Sequence, residues 1–129
     1  MTMGFFDKIF KTEKNQTLDN CLEILNQEKT VSDLLDESKK TFVLIFKHSP
    51  RCGISNMVLN QFKQQIPSET NAKFYLLNVI QNRDFSYQLA KDLNVVHESP
   101  QLIVLKDAQV INESSHSAIN RLNFGDFEL

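Results

Sequence analysis

Two cysteines in 129 residues, Cys21 and Cys52, are too few for a disulfide scaffold. At 31 positions apart they form neither a C-x-x-C pair nor part of a four-ligand zinc set, so a reducing compartment is expected. No long apolar run occurs: the longest, Phe42 to Phe46, falls far short of the ~20 residues that span a bilayer. The N-terminus lacks the apolar stretch and small-residue cleavage site of a secretory signal, and a cytoplasmic location is expected. Charge of either sign is not in excess, with 14 Lys and Arg against 16 Asp and Glu for a net −2. That balance gives no positive field for phosphate backbones, and nucleic acid is excluded as the expected partner. Glycine-rich phosphate loops, paired acid–base carboxylates, repeats and low-complexity segments are also missing, which leaves hydrolase, kinase and dinucleotide-dependent functions unsupported.

What is present is an ordinary globular composition, 41% hydrophobic and 23% charged, at the size of one domain. Residues 1–16 form an N-terminal appendage and linker, with Phe5, Phe6, Ile9 and Phe10 on one face if helical, ahead of a domain over 17–129. Within the domain, short extended runs alternate with amphipathic helices. A weak strand near Leu22 to Leu25 precedes a helix near Val31 to Lys39, which Thr30 is placed to cap. Phe42 to Phe46 is apolar on both faces and is the expected central strand, covered by helices on each side. Ile54, Met57, Val58, Phe62 and Ile66 predict a helix with those positions inward, ended by Pro67. A strand over Phe74 to Val79 and a helix over Phe85 to Leu93 follow. Leu102 to Leu105 and Val110 to Ile111 make an antiparallel hairpin, and only a short helix is expected in the tail. This order predicts an α/β fold with a central mixed β-sheet flanked by helices.

The stretch Lys47-His48-Ser49-Pro50-Arg51-Cys52-Gly53-Ile54-Ser55 spans the end of the central strand and the start of the next helix, where open α/β sheets bind ligands. A cysteine there meets unsatisfied N–H groups and the positive end of a helix, which favour thiolate, with Arg51, Lys47 and His48 as nearby cations. Ser55 stands where a C-x-x-C motif has its resolving cysteine; its hydroxyl can bond the sulfur but cannot close a disulfide, so any exchange is monothiol. Spacing alone leaves a second reading open, in which Cys52 is a small buried hydrophobe. His48 and Cys52 are spaced for metal, but no second pair completes a site, and none is expected. Cys21, without basic neighbours, is expected to be structural. Pro100 directly precedes the strand at Leu102; were the Ser99–Pro100 bond cis, the Ser99 backbone would face an extended ligand, a choice the residues leave open.

Together these motifs resemble the thioredoxin superfamily, and more narrowly the monothiol bacilliredoxin (YtxJ-like) family. The resemblance rests on Ile45-Phe46-Lys47-His48-Ser49, Cys52 with Ile54-Ser55, Asn78 to Asp84, His97-Glu98-Ser99-Pro100-Gln101-Leu102, Lys106-Asp107 and His116, from about Leu22 to Ile119. It implies a thioredoxin-like fold, Cys52 as nucleophile, and a cis Pro100 facing it. The implied activity is removal of bacillithiol, or a similar low-molecular-weight thiol, from S-thiolated client proteins. That thiol acts as co-substrate, and no permanently bound cofactor is expected. On this reading Lys47, His48, Arg51, Gly53, Ser55, Ser99 and Pro100 surround the substrate, with Arg51 and Lys47 attracting an anionic thiol. Cys52-Gly53-Ile54-Ser55 departs from the family's usual Cys-Pro-Ile-Ser. It approaches the Cys-Gly-Phe-Ser of monothiol glutaredoxins, some of which hold an iron–sulfur cluster with a thiol cofactor, and this sets the rival reading: a thiol-assisted cluster carrier.

Overall fold

The computed structural model describes residues 22–127. The N-terminal appendage and Cys21 lie outside the described residues. Among the described residues, five strands and three α-helices follow in the order β1 (Glu23–Ile24), α1 (Val31–Ser38), β2 (Val43–His48), α2 (Gly53–Gln65), β3 (Lys73–Asn78), α3 (Arg83–Leu93), β4 (Gln101–Lys106) and β5 (Gln109–Ser115). Two short 3-10 helices, His116–Arg121 and Phe124–Phe127, complete them. The sheet order is β1-β3-β2-β4-β5, with β1, β3 and β2 parallel and β4 and β5 antiparallel to their neighbours. The mixed sheet and the central position of β2 are as the sequence predicts. No helix among the described residues is long and apolar enough to cross a membrane.

Strand alternation builds two cores from β2. Leu44 and Phe46 pack with Val58, Leu59 and Phe62 of α2, the Phe46 and Phe62 rings 5.1 Å apart. Val43 and Ile45 pack on the other side with Leu34 of α1 and Leu89 of α3. Each fully buried apolar side chain of this kind contributes about 1.5–3 kcal/mol, and covering both faces makes β2 the rigid spine of the molecule.

Local chemistry sets the ends of the elements. Thr30 caps α1 through a capping box with Asp33, whose carboxylate the Thr30 amide holds below its usual range. The β4–β5 turn has positive φ at both Asp107 and Ala108, the geometry that a two-residue hairpin needs to follow strand twist. Alanine is a poor occupant of that region, and the backbone is braced from α1: Asp107 N–H donates to the Ser38 carbonyl and Ala108 N–H to its hydroxyl.

Three expectations change. The central strand runs from Val43 to His48, two residues beyond Phe46, which makes Lys47 and His48 part of the sheet. Ile54 and Met57 point outward, 55% and 54% exposed, because the buried stripe of α2 is Ser55, Val58, Leu59 and Phe62. β5 extends through Asn112 to Ser115, since an edge strand needs no apolar run to complete its ladder with β4.

Candidate active site

The chain leaves β2 at His48, turns through Ser49-Pro50-Arg51, and enters α2 at Cys52. Cys52 is the N-cap of that helix, with extended φ and ψ of −103° and 121°. Its N–H donates to the Ser49 carbonyl and its own carbonyl accepts from Asn56. The side chain makes no capping bond and the thiol is free and half-buried, which leaves the sulfur available beside the unpaired amides of the first turn. Gly53, the first helical residue, has open space where a Cβ would stand.

The Ser55 hydroxyl is engaged away from the sulfur. It lies 2.7 Å from His48 Nδ1 and accepts the Ser49 N–H at 3.1 Å. Burial pushes the His48 pKa down, as does the charge of Lys63, against a hydrogen bond with the Asn56 side chain that supports the protonated form. A neutral ring that donates to Asn56 leaves Nδ1 to accept the Ser55 proton, while the Asn56 amide N–H₂ group donates to the Pro50 carbonyl. His48 and Ser55 are thus a buried knot joining β2, the Ser49–Arg51 turn and α2. Their assignment to the ligand surface is corrected by their burial.

Lys47 is corrected in the same way. Its alternation puts it on the opposite face from His48, fully buried, with Nζ 2.8 Å from His97 Nδ1. Removal from water lowers its pKa to about 8, although Glu113 and Glu98 favour the ammonium. At neutral pH it stays largely protonated and donates to His97. Burial first, then the Lys47 charge, push the His97 pKa down, so that ring is a neutral acceptor.

His97 opens the loop that carries Ser99 and Pro100, whose peptide bond is cis, as the resemblance implies. Fully buried Gln101 braces this loop: its amide N–H₂ group donates to the Val96 carbonyl and to Glu113, and its oxygen accepts the Glu98 N–H. The Pro100 carbonyl accepts the His116 N–H from the end of β5. Cys52 and this loop face each other across a cavity of about 270 Å³ lined by Ser49, Arg83, Tyr87, His97 and Ser99 around a Val79–Ile80 floor. The structure therefore brings Ser99 to the same cavity as Cys52. Pro100 is buried behind it, and Arg51 is exposed on the turn.

Arg83, Tyr87 and His97 line the same cavity, and no local sequence pattern marks them. Arg83 begins α3, two residues before the expected helix start at Phe85. Tyr87 lies one helical turn on, its ring 4.4 Å from that of His97. The signal that could have found them is topological: the β3–α3 junction, like the β2–α2 junction, lies at the carboxyl edge of parallel strands. A larger cavity of about 500 Å³, lined in part by Lys29, Glu37 and Tyr75, lies away from Cys52. There Lys29 donates to both Glu37 and Tyr75, and Tyr75 donates to Glu37, so its central polar groups satisfy one another.

The architecture is similar to that of a thioredoxin-fold protein taken to be an oxidoreductase, at 29% identity over 87% of this chain and 97% of that one, with a TM-score of 0.73. It is also similar to oxidised mitochondrial thioredoxin 3 of Saccharomyces cerevisiae, at 19% identity over 88% and 99% of the two chains and a TM-score of 0.63. Spinach chloroplast thioredoxin f matches at 16% identity over 78% of each chain, with a TM-score of 0.61. The two thioredoxins establish the fold alone, which is thioredoxin-like. The family model described as monothiol bacilliredoxin BrxC matches residues 23–124, spanning both the Cys52 and the Pro100 motifs. With that match, the thioredoxin fold and a free thiol at the carboxyl edge of the sheet, a role in thiol–disulfide redox chemistry follows, and the chain belongs to the monothiol bacilliredoxin BrxC family.

Proposed function

We propose that Cys52 removes a low-molecular-weight thiol, bacillithiol or one like it, from client proteins that carry it as a mixed disulfide. The Cys52 thiolate attacks the small thiol's sulfur; a Cys52–thiol disulfide forms as the client disulfide breaks, and the client sulfur leaves as a thiolate that takes a proton from solvent. One disulfide replaces another, so no external oxidant or reductant enters this step. A second molecule of small thiol then attacks the adduct's small-thiol sulfur, so that a disulfide between the two small-thiol molecules forms as the Cys52 thiolate leaves. The observation that carries this reading is the position of the thiol: free, half-buried, and open to a cavity shared with Ser99 of the cis-proline loop. Ser55, at the place of a resolving cysteine, is tied to His48 and cannot turn the reaction into a dithiol cycle. The exposed Ile54 and Met57 beside Cys52 offer an apolar surface for the client. A reducing cytoplasm, in which the thiol survives, is the setting this chemistry fits.

The test is turnover. A client protein bearing a mixed disulfide with a small thiol is incubated with catalytic protein and excess free thiol, and client release is followed by mass. The proposal expects repeated turnovers from the wild type and none from Cys52→Ser. Client release at the same rate with either protein contradicts it.

A further inference from the structure

Three features of the Cys52 cavity remain without a purpose in the exchange step alone. The Ser99 hydroxyl is buried and has no hydrogen-bond partner. The Arg83 guanidinium has no ion-pair partner among the described residues, and no carboxylate lines the cavity it borders. His97 also lines the cavity and has Nδ1 bonded to Lys47, while Nε2 has no partner among the described residues and is not sealed from solvent. An ammonium has three protons and no lone pair, so a protonated Lys47 requires His97 Nδ1 to be the acceptor and puts the ring's proton on Nε2. Tyr87, packed against the ring at a tilt of 46°, restrains its orientation. Donors of a guanidinium and an imidazole therefore border one small cavity beside the sulfur, with the Ser99 hydroxyl sealed in its wall.

Resting on the exchange reading of Cys52, we propose that Arg83 and His97 determine specificity by holding a carboxylate of the small thiol next to Cys52, and that Lys47 is the positioning residue that keeps the His97 N–H directed to it. Guanidinium geometry matches a carboxylate with two parallel hydrogen bonds, and the neutral imidazole adds a donor without adding charge. Lys47 acts from behind the cavity wall and does not touch the ligand.

The probes are two small symmetrical disulfides, the dianionic dithiodiglycolate and the neutral bis-hydroxyethyl disulfide, each reacted with reduced protein. The rate of adduct formation on Cys52 is read by intact mass. In either reaction Cys52 forms a disulfide with half of the probe and the other half leaves as a thiolate, so the ratio of the two rates cancels general effects on the sulfur. The wild type should favour the dianion by about tenfold, the effect of one charge-assisted hydrogen bond, and Arg83→Gln and His97→Phe should each remove most of that preference. Arg83 is exposed at a helix start, so its variant tests the proposal even if the His97 variant folds poorly. Long-range nitrogen–proton NMR should show His97 with its proton on Nε2 in the wild type, and a tautomer mixture with a reduced rate ratio in Lys47→Met. Equal rates for the two probes, an Arg83→Gln variant that keeps the preference, or a wild-type His97 protonated on Nδ1 would overturn the proposal and leave exchange at Cys52 standing. Failure of Cys52 to react with either probe would instead remove the exchange reading, and this proposal with it.

Discussion

Lys47 and His48 are consecutive, both buried, and both held toward neutrality by burial, yet they face opposite layers of the sheet. His48 turns toward α2 and, through Ser55, fastens the turn that precedes Cys52. Lys47 turns toward α3 and fastens the loop that carries Ser99. The two differ in energetic character. The His48 knot is made of neutral groups with their hydrogen bonds met, whereas Lys47 keeps a charge out of water. A neutral knot adds stability; a buried ammonium subtracts from it and is retained for position. The last two residues of one strand thus hold the two pieces of backbone that border the thiol.

The largest departure should come from breaking the neutral side. Ser55→Ala leaves His48 Nδ1 and the Ser49 N–H without partners and should cost about 2–3 kcal/mol, measured by urea unfolding, with exchange slowed as the turn loosens. The opposite sign is expected across the strand. Lys47→Met replaces a buried charge by an apolar chain of similar length and should stabilise the protein by about 1–2 kcal/mol while weakening selection of the small thiol. Destabilisation in both variants would show that the two faces are equivalent.

Acid and alkali should separate the faces further. The unfolded chain protonates His48 near 6.5 and the folded one only at lower pH, so this face contributes stability above about 6.5 that is lost as pH falls below it. Unfolded Lys47 keeps its proton to about 10.5 and folded Lys47 only to about 8, so its penalty is present below 8 and is relieved as pH rises toward 10.5. Unfolding midpoints of the wild type and Lys47→Met should therefore draw together between pH 7 and 10. A constant gap would mean that Lys47 has no lowered pKa.

How much of this arrangement was legible follows from the same two residues. The apolar run Phe42 to Phe46 marks the central strand because both its faces are covered, and the cysteine at the following junction marks the site. The apolar run stops at Phe46, and Lys47 and His48 are read only as the strand's polar end beside the thiol; extending the alternation by two positions puts them on opposite faces. Ile54 and Met57 fit helical spacing, but two apolar stripes fit it equally well, and only docking against Phe46 and Leu44 selects Val58 and Phe62. Arg83 and His97 lie far from Cys52 in the chain; the carboxyl edge of the sheet brings them together, which no local pattern encodes.

The smallest effect is expected at Gly53, which lies in the same turn but belongs to neither side of the comparison. With nothing within 4 Å of an added Cβ, Gly53→Pro restores the family's usual residue at a first helical position that tolerates proline, and should raise stability by about 0.5–1 kcal/mol through the unfolded chain. A loss of more than that would show that the Gly53 N–H has a structural role.

Lys47 and His48 brace the two segments that border one thiol, and the most direct measurement asks whether that thiol takes the small group. Reduced protein is mixed with a client carrying a small-thiol mixed disulfide, with no free thiol present to complete the cycle, and the intact masses and modified peptides of both are read. A single small-thiol adduct on Cys52 is expected, matched by an equal amount of client returned to its free thiol. An unmodified Cys52, an adduct on Cys21, or a disulfide between Cys52 and the client that retains the small thiol elsewhere would contradict it.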